Sequence, residues 1–374
     1  GWGVRGWLVA FVTWGAVWAV EQGWGPFDLP PTDVLLAPAA AGLALAVGMG
    51  ATSISAELAG SRFGTRQLAV AVCVASLALF TLPTVGAAVG GRWDAPRGDV
   101  SGPLGFFDDE AEEDGPFRVL WIGDPEAVPL SGWSLGDGIE YATSDEGLPT
   151  VQDDWSGSDD GATGLVADAL TSAEQRETSR LGRLLGPMGI RYVVVPQQAA
   201  PVPYDDEPRP IPRSVVDALG EQLDLEEVEV NPAIIVYRNE AWAPTRTVLP
   251  EGSTDGEGDP LQQMTEVDLA GSPAALSDED GFASFSGQVE SGEPYLAAAA
   301  SDRWSLDVDG EGLERSEAFG WANGFAATGG GEGTLRFSTP ATRYVVLLVQ
   351  VAAWVLLALG LLRRRLRTGE VVES

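Results

Sequence analysis

Four strongly apolar stretches frame this chain, and the last runs into Arg363, Arg364, Arg365 and Arg367. A long apolar run that ends in an arginine cluster is the pattern of a membrane span whose basic end stays in the cytoplasm. The residues between Arg92 and Thr342 would then lie on the far side of the membrane. Tyr344 to Leu362 carries no charge and is long enough to cross ~30 Å of hydrocarbon at about 1.5 Å per residue. Val34 to Ile54 and Leu68 to Val89 are of similar length, and Pro38 and Pro83 are tolerable in lipid-embedded helices. Trp2 to Val20 carries Arg5 near its start, and Trp2, Trp7, Trp18 and Trp24 suit an interfacial belt around it.

Arginine placement gives all four runs one orientation. Arg62 and Arg66 follow the second run, whereas the loop from Glu21 to Asp33 holds acids and no base. With the first run directed outward, short basic segments fall inside and the acidic loop outside. The opening on Gly1 suggests a piece of a longer chain, entered within its membrane region.

The sequence therefore predicts a membrane protein with about four transmembrane α-helices, an extracytoplasmic α/β subdomain and a small antiparallel β-sandwich. Three helices (about 2–20, 34–54 and 68–89) fill residues 1–91, and an acidic linker covers 92–116. The α/β subdomain spans 117–250 and the sandwich 251–342, before a helix at 343–362 and a cytoplasmic tail at 363–374. The expected location is a bacterial cell membrane.

Composition narrows the chemistry. The formal net charge is −33, and 49 of the 55 acidic residues fall between Arg92 and Thr342, where 14 arginines face them. So acidic a surface between Arg92 and Thr342 repels nucleic acid and anionic lipid headgroups and argues against both as its partners. There is no histidine, which removes Ser-His-Asp and Cys-His nucleophilic sites and imidazole zinc sites from this chain. The single cysteine, Cys73, reads as a small apolar residue within the third run, so no disulfide can form within the chain.

Between the apolar runs, hydrophobic periodicity sets the elements. Asp94–Gly115, with DDEAEED, reads as a solvated linker. Phe117–Gly123 and Arg191–Pro196 read as buried strands, and Gly132–Gly161 as an irregular loop. Thr171 and Glu174 form a capping-box pattern before a helix through Leu181, Leu184 and Leu185. Ser214–Leu223 is a shorter helix, and strands at Glu227–Val230 and Ala233–Tyr237 flank an Asn231-Pro232 turn. After Pro250, short apolar runs alternate with turn residues, the pattern of a β-sandwich.

Few motifs carry chemistry. Gly1, Gly3 and Gly6 spell G-x-G-x-x-G, but the pattern opens an apolar run rather than following a strand. Asp307-Val308-Asp309 has the D-x-D form of metal-nucleotide sites, and with Glu311 it approaches a calcium loop, so Asp307, Asp309 and Glu311 are the metal candidates. A hairpin turn through Asp309-Gly310 competes with that reading. The pairs Asp153/Asp154, Asp159/Asp160 and Asp205/Asp206 sit in polar loops with nothing to hold two carboxyls across a bond. Trp121, Trp133, Trp155, Trp242, Trp304 and Trp321 could stack on sugar rings or fill a core, and Trp133, Trp155 and Trp321 are the glycan-contact candidates.

LLGPMGIRYVVVP (Leu184–Pro196), IIVYRNEAWAPTRTVLP (Ile234–Pro250) and RWSLDVDG, FGWANGF and GTLRF within Arg303–Phe337 together resemble the C-terminal region of bacterial polytopic membrane glycosyltransferases. They are similar to family 2 enzymes with a multi-pass membrane region and, more distantly, to YfhO-type membrane proteins. The resemblance implies sugar transfer to a lipid or cell-envelope acceptor, with the bilayer and an envelope glycan or lipid-linked sugar as partners. The donor-binding catalytic domain would lie upstream, so no catalytic residue and no cofactor is expected in this chain. The alternative is a non-enzymatic, membrane-anchored envelope binding or scaffolding protein. A free-standing hydrolase would have to rely on carboxylates alone.

Overall fold

The computed structural model describes residues 2–21, 32–58, 65–90, 98–150, 153, 161–204, 207–254, 258–281 and 283–369. Three helices come first, α1 (Trp2–Glu21), α2 (Thr32–Leu58) and α3 (Thr65–Gly90). Among the described residues, only Leu35–Thr52 in α2 is both long and apolar enough to cross a membrane. The apolar runs Val74–Val89 in α3 and Ala341–Leu356 near the C-terminus are shorter. The four-span expectation is therefore corrected to one candidate span beside three β-sheets that hold 15 strands. The side chains of Cys73, Arg363, Arg364, Arg365 and Arg367 lie outside those described, as do residues 370–374.

The chain divides into two compact units, described here in turn. The first comprises Gly1–Glu113, Phe117–Gly186 and Ile190–Trp242. After α3 come α4 (Ser101–Leu104) and α5 (Phe106–Asp114), then β1 (Arg118–Gly123), β2 (Trp133–Gly136) and β3 (Ile139–Asp145). Next are α6 (Gly161–Glu174), α7 (Leu181–Leu185), β4 (Ile190–Pro196), α8 (Arg213–Gly220), β5 (Leu225–Asn231) and β6 (Ile234–Asn239). The six strands form one sheet in the order β2-β3-β1-β4-β6-β5. β1 and β4 are parallel, and the other pairs are antiparallel. The central position of β4 explains its sequence, since IRYVVVP is buried at every residue and a strand covered on both faces needs no polar alternation.

Strand alternation sends Val119, Trp121, Tyr192, Val194, Val236 and Ile234 to one face, where they join Leu104 and Phe107 in a buried core. The acidic segment expected as a linker is thus part of the fold: α5 includes DDEAEED and lays Phe107 on the sheet. Helix geometry puts most of the acids on the outer side and Phe107 inside, with Glu110 turned toward Arg191, a period that the acid run conceals. The opposite face is tied to α6 by the Tyr141 hydroxyl, which donates to Thr163 O at 2.9 Å.

Two expected elements differ. The loop expected over Gly132–Gly161 contains β2 and β3, joined by a two-residue Asp137-Gly138 turn with φ of 51° and 77°. The Thr171/Glu174 box does not start a helix. Thr171 lies in the last turn of α6, and its hydroxyl donates back to Ala167 O at 2.8 Å.

The second unit comprises Asp114–Pro116, Pro187–Gly189 and Ala243–Ser374. It contains β7 (Arg246–Leu249), α9 (Pro260–Glu266), β8 (Asp278–Gly281), β9 (Ser284–Val289), β10 (Glu293–Leu296) and β11 (Trp304–Val308). β12 (Glu311–Gly312), β13 (Arg315–Ala318), β14 (Ala322–Phe325), β15 (Gly331–Phe337) and α10 (Ala341–Gly369) complete it. One sheet has the order β13-β14-β10-β7 and the other β12-β11-β15-β9-β8. Val248, Leu296 and Phe325 from the first meet Val289, Leu306, Val308 and Leu335 from the second in a single buried cluster. Strand β7, placed before residue 250 by the sequence boundary, belongs to this unit.

Candidate functional site

The D-x-D segment is a hairpin. Strands β11 and β12 pair Asp307 with Gly312 and Val308 with Glu311, and Asp309 and Gly310 make the turn with φ of 51° and 83°. Alternation buries Leu306 and Val308 and leaves Asp307 outside. The Asp309 carboxylate is spent on the chain itself, accepting from Glu332 N at 3.0 Å. Among the described residues, no three Cys, Asp or Glu side chains converge on a common metal position, and Asp307, Asp309 and Glu311 form no such group.

The carboxylate pairs fall largely outside the described residues, which include Asp153 but not Asp154, Asp159, Asp160, Asp205 or Asp206. Asp153 is engaged locally: it accepts from Thr150 N at 2.6 Å, from Thr150 Oγ1 at 2.7 Å and from Asp145 N at 3.2 Å.

The tryptophans separate by depth. Trp121 is wholly buried, and its Nε1 donates to Ser144 Oγ at 2.9 Å, which in turn donates to Gly147 O at 2.7 Å. Trp321, a glycan-contact candidate, is 3% exposed, so its ring is core and offers no face to a ligand. Trp155 lies outside the described residues. Trp242 and Trp304 are half-buried, Trp242 under the Arg191 guanidinium at 4.6 Å and Trp304 stacked near Phe285 at 6.5 Å.

Trp133 remains. It opens edge strand β2, directly opposite Tyr141 in the register, and the two rings lie 5.8 Å apart at 34°. The Asp137-Gly138 turn sets that register, and the Tyr141 hydrogen bond to α6 fixes the ring beneath Trp133. The indole is half-buried, and its strand is the outermost of the sheet among the described residues. A shallow depression of about 450 Å³ is lined by Pro125, Val128, Pro129, Leu130, Ser131, Gly132 and Glu140. Glu140 alternates with Tyr141, so the depression opens on the other face of the sheet and does not merge with Trp133. It holds one carboxylate, Glu140.

Two buried polar groups were missed by sequence reasoning. Arg191, in the otherwise apolar β4, pairs with Glu110 of α5 at 2.8 Å and lies 5.2 Å from the Phe117 centroid. Tyr192 donates to the same carboxylate at 2.5 Å. Burial first, and then the Glu110 contact, hold the Tyr192 phenol well above the ordinary tyrosine range. A lone arginine in a buried strand was the available signal, because such a charge requires a partner. The second group caps α7 from a distance. Asp224 accepts from Gly182 N at 3.0 Å and Arg183 N at 2.9 Å, and Gln222 accepts from Leu181 N at 2.9 Å. Asn239, fully buried, donates to Gly182 O at 2.9 Å and Ile190 O at 2.8 Å. Its partners are all backbone groups, so this network is structural.

Comparison of the chain with family models, with curated proteins and with solved structures gives no match.

Proposed function

We propose that this chain is the membrane-tethered, extracytoplasmic part of a protein of cell-envelope glycan assembly, and that it positions an acceptor glycan rather than transferring the sugar. The observation that carries this reading is Trp133, an indole supported from beneath by Tyr141 on the outermost described strand of its sheet. An aromatic body with a polar tip at a wet surface is suited to a ring that is apolar on its faces and hydroxylated at its rim. The segments resembling membrane glycosyltransferases point toward the same acceptor class, and α2 supplies the tether.

The test is co-sedimentation of the full chain with purified envelope polysaccharide. Trp133→Ala should weaken retention by about two- to tenfold, the worth of one aromatic contact of about 0.5–1.5 kcal/mol. Trp133→Phe should recover part of it, and Asp307→Asn should leave it unchanged. Equal retention of Trp133→Ala and the parent chain would sink the reading.

A further inference from the structure

The pairing of α1 with α2 carries an inference that rests on the membrane tether of the reading above. Most residues buried in the pair are small: Gly6, Ala10, Ala39, Gly42 and Ala46, with Val17 the one larger buried side chain among the described residues of the two helices. A Cβ on Gly6 would meet Gly42 O at 2.4 Å, and one on Gly42 would meet Gly6 O at 2.6 Å, so backbone touches backbone. Gly3 faces Met49 while Gly6 faces Gly42 and Ala46, which makes the two helices antiparallel. The large side chains are on the outside. Trp7, Leu8, Phe11, Val12 and Trp14 of α1 are exposed, as are Leu45 and Val47 of α2.

A helical hairpin folding in water places its large apolar side chains in the seam, because removing them from water is what drives the pairing. This one does the reverse. In hydrocarbon that drive is absent, lipid chains solvate the large side chains, and small residues let the helices approach for van der Waals contact. Charge follows the same division. Leu35–Thr52 has no charged residue. Antiparallel pairing places Arg5 at the end where α2 closes on Glu57 and leads in sequence toward Arg62 and Arg66, and Glu21 and Asp33 at the other. The basic end matches an anionic headgroup surface.

We propose that α1 and α2 form a two-helix insertion unit whose outer surface is covered by bilayer hydrocarbon, with the Gly6–Gly42 seam holding the pair together and the Arg5 end at the anionic leaflet surface. The experiment uses the full chain in vesicles of phosphatidylcholine and phosphatidylglycerol that contain an acyl-chain photoaffinity probe. Label should fall on Phe11, Val12, Leu45 and Val47 and spare Ala10, Ala39 and Ala46. Absence of label from both helices, or equal label on the seam, overturns the unit. The seam is read separately by oxidising a Gly3→Cys/Met49→Cys variant in a Cys73→Ala background, where the 3.7 Å from a Gly3 Cβ to Met49 Cβ suits a disulfide. Adding Gly6→Leu should abolish that cross-link, and an unchanged yield overturns the seam. Polysaccharide retention is measured on the same vesicles. Lost label with retained binding sinks the insertion unit alone, and retained label with lost binding sinks the glycan reading alone.

Discussion

The six-stranded sheet and the α1–α2 pair bury opposite kinds of side chain. The sheet encloses Trp121, Phe107, Phe117 and Tyr192 and leaves most acids outside, whereas the helix pair encloses mainly glycine and alanine, with Val17, and leaves tryptophan, phenylalanine and leucine outside. Both seams are tight, so packing density does not distinguish them. What differs is the medium that each outer surface suits. Side-chain size at the contact thus reports the solvent of a helix pair more directly than average hydropathy does.

Four measurements would break or sharpen this contrast. Trp121→Ala should be the most damaging, about 3–5 kcal/mol of destabilisation, since it opens a cavity and strands the Ser144 hydroxyl. Hydrogen exchange in β1 and β4 during urea unfolding would measure it. Gly42→Ala should cost about 1–3 kcal/mol in the helix pair through overpacking, read as faster exchange in α2. If Gly42→Ala were neutral while Trp121→Ala was not, the seam would be loose and the contrast would fail.

Tyr192→Phe should cost about 1 kcal/mol at neutral pH, the net worth of a typical hydrogen bond. Its second consequence concerns pH. Burial and Glu110 raise the folded-state value of the Tyr192 phenol, so the folded state keeps a proton that the unfolded chain releases near pH 10. The stabilisation is complete below about pH 10 and declines as pH climbs toward the raised folded value. Urea midpoints at pH 7 and pH 11 should therefore differ less in Tyr192→Phe than in the parent chain. The smallest effect is expected for Phe11→Ala, below about 0.5 kcal/mol for helix pairing because the side chain lies outside the seam. A larger loss of pairing there would mean that Phe11 is a seam residue after all.

Legibility in the sequence followed the strength of local periodicity. Strand β4 could be read because IRYVVVP has no competing pattern, and β5 and β6 because Asn231-Pro232 punctuates them. The hairpin β2–β3 carried the same Asp-Gly turn as Asp309-Gly310, but the polar residues of WSLG and IEYATSD obscured it. Helix α5 was hidden because its charge reads as solvation, while the two phenylalanines of its first turn suffice to dock it. Four apolar runs were expected to span, and among the described residues one helix is both long and apolar enough to do so. Trp133 was legible as a residue type only. Its support by Tyr141 depends on a strand register that no local window contains. The caps of α7 come from residues about 40 positions away, beyond any capping motif.

Strand β5 is the last strand on the far side of the six-stranded sheet among the described residues, and its sequence is LEEVEVN. Glu226, Glu227 and Glu229 are exposed along it. A second chain that tried to extend the sheet there would bring its own glutamates into register with these, desolvating like charges side by side. The edge thus guards the protein against fibrous self-association. That protection is electrostatic, so it weakens as salt shortens the range of repulsion.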